Sequence, residues 1–434
     1  MQELTAQDVW TIVAAALVLL MTPGLAFFYG GMTRVKAALN MMMMSFVSIG
    51  IIGVVWVLWG SSVAGGDELI PGILGNPFTD FGSEQATHDG SLLGIAFSST
   101  FAIIAVALIS GAIADRAKFG AWCIFVPLWV TLVYAPVAYM VWADGGLLKD
   151  GAIGSALGEA IDFAGGTVVH INAGMAGLVL CLIIGARRGF GRDANQRPHN
   201  LPFVMLGAAL LWFGWFGFNV GAAATPAQAG LTWINTLVCP AAAMLGWIAV
   251  ERIRDKHATS LGAASGVVAG LVAITPACAN VDPGWALVLG VVSGVGSAFA
   301  VGLKYRLGYD DSLDVVGVHL VSGIIGTVAL GFIATPETGT AGLFYGGGFE
   351  LLLTQVVAAL VTIVYCGIVT AVIGLAIHKT IGFRVPERSE IQGIDLAAHA
   401  ETAYSFASGT SGQFSVPPPP MTSVADSRMW STKP

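Results

Sequence analysis

Apolar residues gather along this chain into eleven long stretches, each closed by Gly, Pro or a cluster of charges. A helix rising 1.5 Å per residue needs about 20 apolar residues to cross a bilayer. The pattern predicts helices at roughly 9–31, 40–61, 91–114, 121–142, 164–185, 200–222, 231–250, 259–278, 284–303, 314–334 and 349–378. The first has no Lys or Arg before it and is longer than the short apolar core of a secretory signal, so it reads as a span kept in the mature protein. The expected fold is an all-α polytopic membrane protein.

The loops orient these helices. Arg34 and Lys36 follow the first span, Arg116 and Lys118 the third, and Arg187, Arg188, Arg192 and Arg197 the fifth. Arg252, Arg254 and Lys256 follow the seventh, Lys304 and Arg306 the ninth, and Lys379, Arg384 and Arg388 the eleventh, with Arg428 and Lys433 in the tail. Only Lys149 falls in an even-numbered loop, so 18 of 19 basic residues share one side. Basic residues collect on the cytoplasmic side, which predicts an outside N-terminus, an inside C-terminus and an odd number of spans. The segment 61–90 carries Asp67, Glu68, Asp80, Glu84 and Asp89 and no Lys or Arg. That fits both an ordinary outer loop and a surface that draws cations.

Composition narrows the function. The chain has 434 residues, 56% hydrophobic and 10% charged, against about 25% charged in soluble domains. A soluble enzyme is excluded on this ground, and 19 Lys+Arg against 26 Asp+Glu leaves no basic excess for nucleic acid. The five cysteines lie scattered, mostly in apolar segments, without metal-ligand or disulfide spacing. Small-residue runs such as GAASGVVAGL and GVVSGVGSAFAVG read as faces for close helix packing.

Two segments repeat. VVHINAGMAG at 168–177 lies in the fifth predicted span and GVHLVSGIIG at 317–326 in the tenth. Both read V-H-x-x-x-G-x-x-G, and each follows an aspartate, Asp162 in one and Asp314 in the other. Five spans separate the copies, so the halves insert in opposite senses, a 5+5 inverted repeat plus a final long helix, with any transport site near the midplane. His170 and His319 each sit about a turn and a half into a helix, where a charge costs about 2.5–3.5 kcal/mol on the insertion scale. One such histidine is readily a neutral packing residue. Two at equivalent positions of a repeat are expected to meet across a pathway and share a proton. Asp162, at the start of its helix, fits both a capping role and a long-range pull on cations.

Aromatic residues supply the remaining chemistry. Phe97 and Phe101 lie one turn apart, Trp142 ends the fourth span, and Trp212, Phe213, Trp215, Phe216 and Phe218 crowd the sixth. Rings beside an uncharged histidine pair point to a narrow apolar pore with a cation-attracting mouth.

DFAGGTVVHINAG, GVHLVSGIIG, ISGAIADR at 109–116, PVAYMVW at 136–142 and LWFGWFGFNVG at 211–221 resemble the ammonium transporter (Amt/Mep/Rh) family, in its bacterial Amt branch. The resemblance runs to about Phe406. It implies eleven helices, a homotrimer with one pore per subunit, ammonium or ammonia as substrate with methylammonium as analogue, and no cofactor. It makes His170 and His319 the twin pore histidines and Asp162 a structural and electrostatic residue below the vestibule. Phe101 and Trp142 match the outer cation site, Phe101 with Phe218 the Phe gate, and Trp215 a pore-lining residue. Ala222 stands where the family usually has a serine that helps hold the cation. Residues 1–378 would form the transmembrane domain. Residues 379–406 resemble the family's ordered cytoplasmic tail, which packs on the neighbouring subunit and engages a PII-type regulatory protein, with Ala400 where Gly is common. Residues 407–434, rich in Ser and Pro, are expected to be disordered. Three activities fit this reading: a transporter that splits the cation, a neutral Rh-like gas channel, and a sensor with little flux.

Overall fold

The computed structural model describes residues 3–191 and 197–404. The expected disordered tail, 407–434, lies outside the described residues. Among those described, ten helices are long and apolar enough to span a membrane. We label them in chain order with one shorter apolar helix between the seventh and ninth: α1 (Ala6–Met32), α2 (Val35–Gly65), α3 (Leu92–Ile113), α4 (Phe119–Trp142), α5 (Gly166–Ile184), α6 (Leu201–Val220), α7 (Pro226–Arg254), α8 (Ser260–Ile274), α9 (Pro283–Leu307), α10 (Val316–Ile333) and α11 (Glu350–Thr380). The segments expected from the apolar pattern are found within five residues at each end, and α8 falls short by the most, ending four residues early. In the acidic segment after α2, Glu68–Ile70 and Leu74–Gly75 pair as a small antiparallel hairpin.

α8 is the correction. The pattern extends it to 278, but the helix stops at Ile274 after 15 residues. Thr275 keeps helical backbone (φ −51°, ψ −48°) and still donates to the Leu271 carbonyl, but Pro276 brings no amide hydrogen to carry the ladder further. The chain then turns through Ala277, Cys278 and Ala279, all buried. Irregular backbone is tolerated at membrane depth only where protein satisfies its polar groups. Here Asn235 of α7 supplies the donors, its Nδ2 bonding the carbonyls of Cys278 at 2.9 Å and Val281 at 2.7 Å.

Small residues set the packing. A Cβ on Gly290 or Gly294 of α9 would come within 2.2 Å of the Cys239 carbonyl oxygen or 2.1 Å of that of Ala243 in α7. The two repeats meet by the same device. A Cβ on Gly174, four residues after His170, would stand 2.4 Å from the amide nitrogen of Leu320, the residue after His319. A Cβ on Gly323, four after His319, would stand 3.0 Å from the side chain of Ile171, the residue after His170. Each half thus admits the other at a matching glycine. Gly174→Ala should destabilise the protein by about 1–3 kcal/mol, since the obstacle is backbone. Gly94→Ala, exposed with open space around it, should be neutral or stabilising by up to about 1 kcal/mol. Thermal melts of the two variants check the contrast; equal midpoints would contradict this packing.

One end of the bundle holds a largely buried network of charges. Arg187 pairs with Asp310 at 2.8 Å and Asp115 at 3.1 Å, and Arg34 reaches Asp115 at 3.3 Å. Burial alone would raise the Asp310 carboxyl, but Arg187 holds it below the usual carboxylate range. After α11 the chain folds back on this end in two short helices, Glu387–Gln392 and Ile394–His399. Asp395 accepts from the amides of Leu39 (3.0 Å) and Asn40 (2.8 Å), capping a turn of α2, and His399 Nε2 lies 3.1 Å from Asn40 Oδ1. The resemblance implied packing on a neighbouring subunit; these contacts are made to the same chain. Ala400 has φ +56°, the left-handed backbone that Gly adopts without strain.

Candidate functional site

The histidines lie where α5 and α10 open into wider π-type turns, Gly166–Ile171 and Val316–Leu320. In the first, the His170 amide reaches the Gly165 carbonyl five residues back; in the second, Val321 reaches Val316 in the same way. Both rings are buried, and their Nδ1 atoms face each other at 3.3 Å with ring planes 21° apart. A hydrogen bond at that separation requires one Nδ1 to donate and the other to accept, and hence opposite tautomers in the two rings. His170 Nε2 is buried with no hydrogen-bond partner in the protein.

Asp162 holds the start of α5. Oδ1 accepts from the amides of Gly165 (2.9 Å) and Gly166 (2.5 Å), and Oδ2 from those of Thr167 (2.9 Å) and Val168 (3.1 Å) and from the Thr167 hydroxyl. Such saturation is that of a cap, since the free amides of a helix start are donors without partners. In the second repeat the counterpart is Asp311, not Asp314. Asp311 accepts from Val315 (3.1 Å) and Val316 (2.7 Å), whereas Asp314 pairs with Lys304 at 2.6 Å. The spacing carried the signal: Asp162 precedes His170 by eight residues, and Asp311 precedes His319 by eight.

Towards the opposite end from the charge network, Phe101 of α3 and Phe218 of α6 stack, ring centres 4.1 Å apart and planes 22° apart. Phe97 meets Phe101 edge-on at 4.9 Å, and Trp142 meets Phe101 edge-on at 6.3 Å. Trp142 is fixed by its indole N–H, which donates to the Asp162 carbonyl at 2.8 Å. Lys149, the single basic residue of the even-numbered loops, lies close by: its ammonium donates to the Trp142 carbonyl at 3.2 Å and to Asp144 at 2.7 Å. The Asp144 hydrogen bond raises the Lys149 pKa. Ala222 is exposed, next to Gly221, where a Cβ would meet the Phe97 ring at 2.6 Å.

Beneath the stacked phenylalanines, Trp215 lies on His170, ring centres 5.4 Å apart and planes 21° apart, and Phe218 is 6.1 Å from the same imidazole. The Trp215 N–H donates to Thr275 at 2.8 Å, at the broken end of α8. Thr275 was not foreseen, because nothing local marks a threonine that catches an indole 60 residues away. A narrow cavity of about 10 Å³ is lined by Leu25, Ile104, Leu108, Trp215, Phe218 and Val268 together with both histidines. The structure therefore brings His170, His319, Trp215, Phe218, Phe101 and Trp142 into one continuous column. Asp162 stands behind it as a cap, and Ala222 flanks its mouth. No cluster of potential metal ligands occurs among the described residues.

A multi-pass helical bundle enclosing a narrow, largely apolar cavity with two buried histidines fits a membrane transport protein. The sequence profile described as the Ammonium Transporter Family matches residues 9–404, and the chain belongs to that family. It is 52% identical to an ammonium transporter of Mycobacterium bovis, over 96% of this chain and 93% of the relative. The crystal structure of Saccharomyces cerevisiae Mep2 superposes with a TM-score of 0.80 at 31% identity, covering 88% of this chain and 87% of Mep2. A structure titled Sensor Amt Protein superposes with a TM-score of 0.83 at 27% identity, covering 91% of this chain and 98% of its own.

Proposed function

We propose that this protein takes up ammonium by recruiting the cation at Trp142 and Phe101, removing its proton at the Phe101–Phe218 gate and conducting ammonia past His170 and His319. The observation that carries this reading is the coupled pair of buried imidazoles in an apolar cavity, directly below two stacked rings. Moving a small cation intact into a medium of dielectric about 4 costs on the order of 20 kcal/mol. Deprotonating an amine-like cation costs about 1.36 kcal/mol per pKa unit, roughly 3–4 kcal/mol near pH 7. Splitting is the cheaper route. With Nδ1 shared, one Nε2 is a donor and the other an acceptor, which matches a neutral molecule that both donates and accepts. The imidazoles also offer the released proton its own path, so uptake is electrogenic.

The same reading assigns an outside N-terminus, an inside C-terminus, eleven spans within residues 1–378 and a homotrimer. Residues 379–406 act as a cytoplasmic regulatory region that receives a PII-type protein. Methylammonium uptake with simultaneous current recording in proteoliposomes tests the mechanism. Uptake with current is expected. Electrically silent uptake would instead make it a neutral gas channel, and binding without uptake a sensor. Ala222→Ser restores a hydroxyl at the mouth and should tighten apparent methylammonium affinity by about 2–10-fold. Competition by methylammonium in the same vesicles measures it.

A further inference from the structure

A second cavity, of about 410 Å³, opens at the charged end of the bundle, away from the conduit. Three separate pieces of chain build it. The α1–α2 junction contributes Arg34 from the connection and Lys36 from the first turn of α2, the segment before α6 contributes Arg197 and His199, and the returning tail contributes Glu390 and Gly393. Its walls are pinned. The His199 amide donates to the Thr33 carbonyl at 3.3 Å and that of Asn200 to the Gly31 carbonyl at 3.2 Å. Gly393 lies so close to Lys36 that a Cβ there would sit 2.7 Å from the Lys36 Cβ.

The charge of the cavity is unbalanced. Its one carboxylate, Glu390, is buried and already accepts from Arg384 at 2.7 Å and from the Arg188 amide at 2.7 Å. Arg34 is committed to Asp115. Lys36 and Arg197 both lie at the exposed rim, and neither has an ion-pair partner among the described residues. Two cations without an ion-pair partner among the described residues thus line one cavity, with the Arg34 guanidinium beside them. Arg34 and Lys36 follow the end of α1 by two and four residues, and Arg197 precedes α6 by four, so the cluster lies at the ends of two apolar spans. Guanidinium and ammonium groups converging on a recess there match a phosphate group, which Arg binds by paired hydrogen bonds and Lys as a point charge.

We infer that this cavity binds an anionic phosphate ester, and that the ligand joins the α1–α2 junction, the segment before α6 and the tail through Lys36, Arg197 and Arg34. The chemistry is shared by a phospholipid head group and a soluble phosphate. Binding here is independent of the transport reading, because no residue of the conduit takes part.

The test uses the full chain in neutral detergent, with melting followed by tryptophan fluorescence at constant ionic strength. The probes are dioctanoyl phosphatidylglycerol, dioctanoyl phosphatidylcholine and inorganic phosphate. Phosphatidylglycerol should raise the melting temperature saturably, and zwitterionic phosphatidylcholine should not. A matching response to inorganic phosphate assigns binding to the phosphate group itself; silence with inorganic phosphate assigns it to the lipid. The double variant Lys36→Gln/Arg197→Gln should shift the midpoint concentration by about tenfold or more. Arg252→Gln/Lys256→Gln, which removes equal charge at the end of α7, should not. Gly393→Ala moves the tail wall without changing charge and should also weaken binding, which keeps the test decisive if the double variant fails to fold. Absence of a phosphatidylglycerol response, or an unchanged midpoint in both Lys36→Gln/Arg197→Gln and Gly393→Ala, overturns the inference.

Discussion

Replacing both histidines, His170→Ala with His319→Ala, should cut methylammonium uptake in proteoliposomes by about 10–100-fold or open the conduit to potassium current. The magnitude follows from removing the two imidazoles whose Nε2 atoms are proposed to serve the passing molecule, each hydrogen bond being worth about 0.5–1.5 kcal/mol net and more where desolvation is complete. Loss of the rings also widens the cavity beneath Phe218, admitting water and lowering the barrier to intact cations. The single variants separate two ideas. If the rings act only as a pair sharing one proton, either single change should cost nearly as much as both, a non-additivity expected of coupled groups. Selective uptake at the original rate in the double variant would refute the role given to these side chains.

Asp162→Asn should be the most destabilising polar exchange in the protein, by about 2–4 kcal/mol, and should abolish uptake. The carboxylate accepts five hydrogen bonds, four from successive amides. An amide side chain keeps one acceptor oxygen and turns an N–H donor towards amides that are themselves donors, leaving buried groups unpaired at about 1–3 kcal/mol each. Because the Asp162 carbonyl also fixes Trp142, the change would loosen the mouth and the histidine helix together. Asp314→Asn, removing the partner of Lys304 rather than a cap, should cost well under half as much. Detergent melts and uptake of the two variants decide whether Asp162 is a cap, as its bonds indicate, or a dispensable surface charge.

The sequence made the helices legible because the bilayer demands length and apolarity, and both are properties of contiguous residues. It also made the histidine pair legible, since a motif duplicated five spans apart can meet only across the seam between halves. What it hid were features set at long range. The early end of α8 had a local sign in Pro276, but the support for the buried turn comes from Asn235 on another helix. Asp314 lies nearest to the repeated motif, whereas the eight-residue spacing selects Asp311 as the counterpart of Asp162. Phe101 and Phe218 are 117 positions apart, and their stacking was read only through the family resemblance. The docking of Asp395 on α2 has no signature in either segment.

The reciprocal fit of Gly174 on Leu320 and Gly323 on Ile171 bears on how such a pore can work. A carrier that rocks one half against the other needs a seam able to slide, and this one is stitched twice, from both directions, at the depth where sliding would begin. On the proposed transport reading, passage is then admitted by swings of individual aromatic side chains within a stationary frame, so turnover should respond to ring size at Phe101 and Phe218 and scarcely to membrane stiffness.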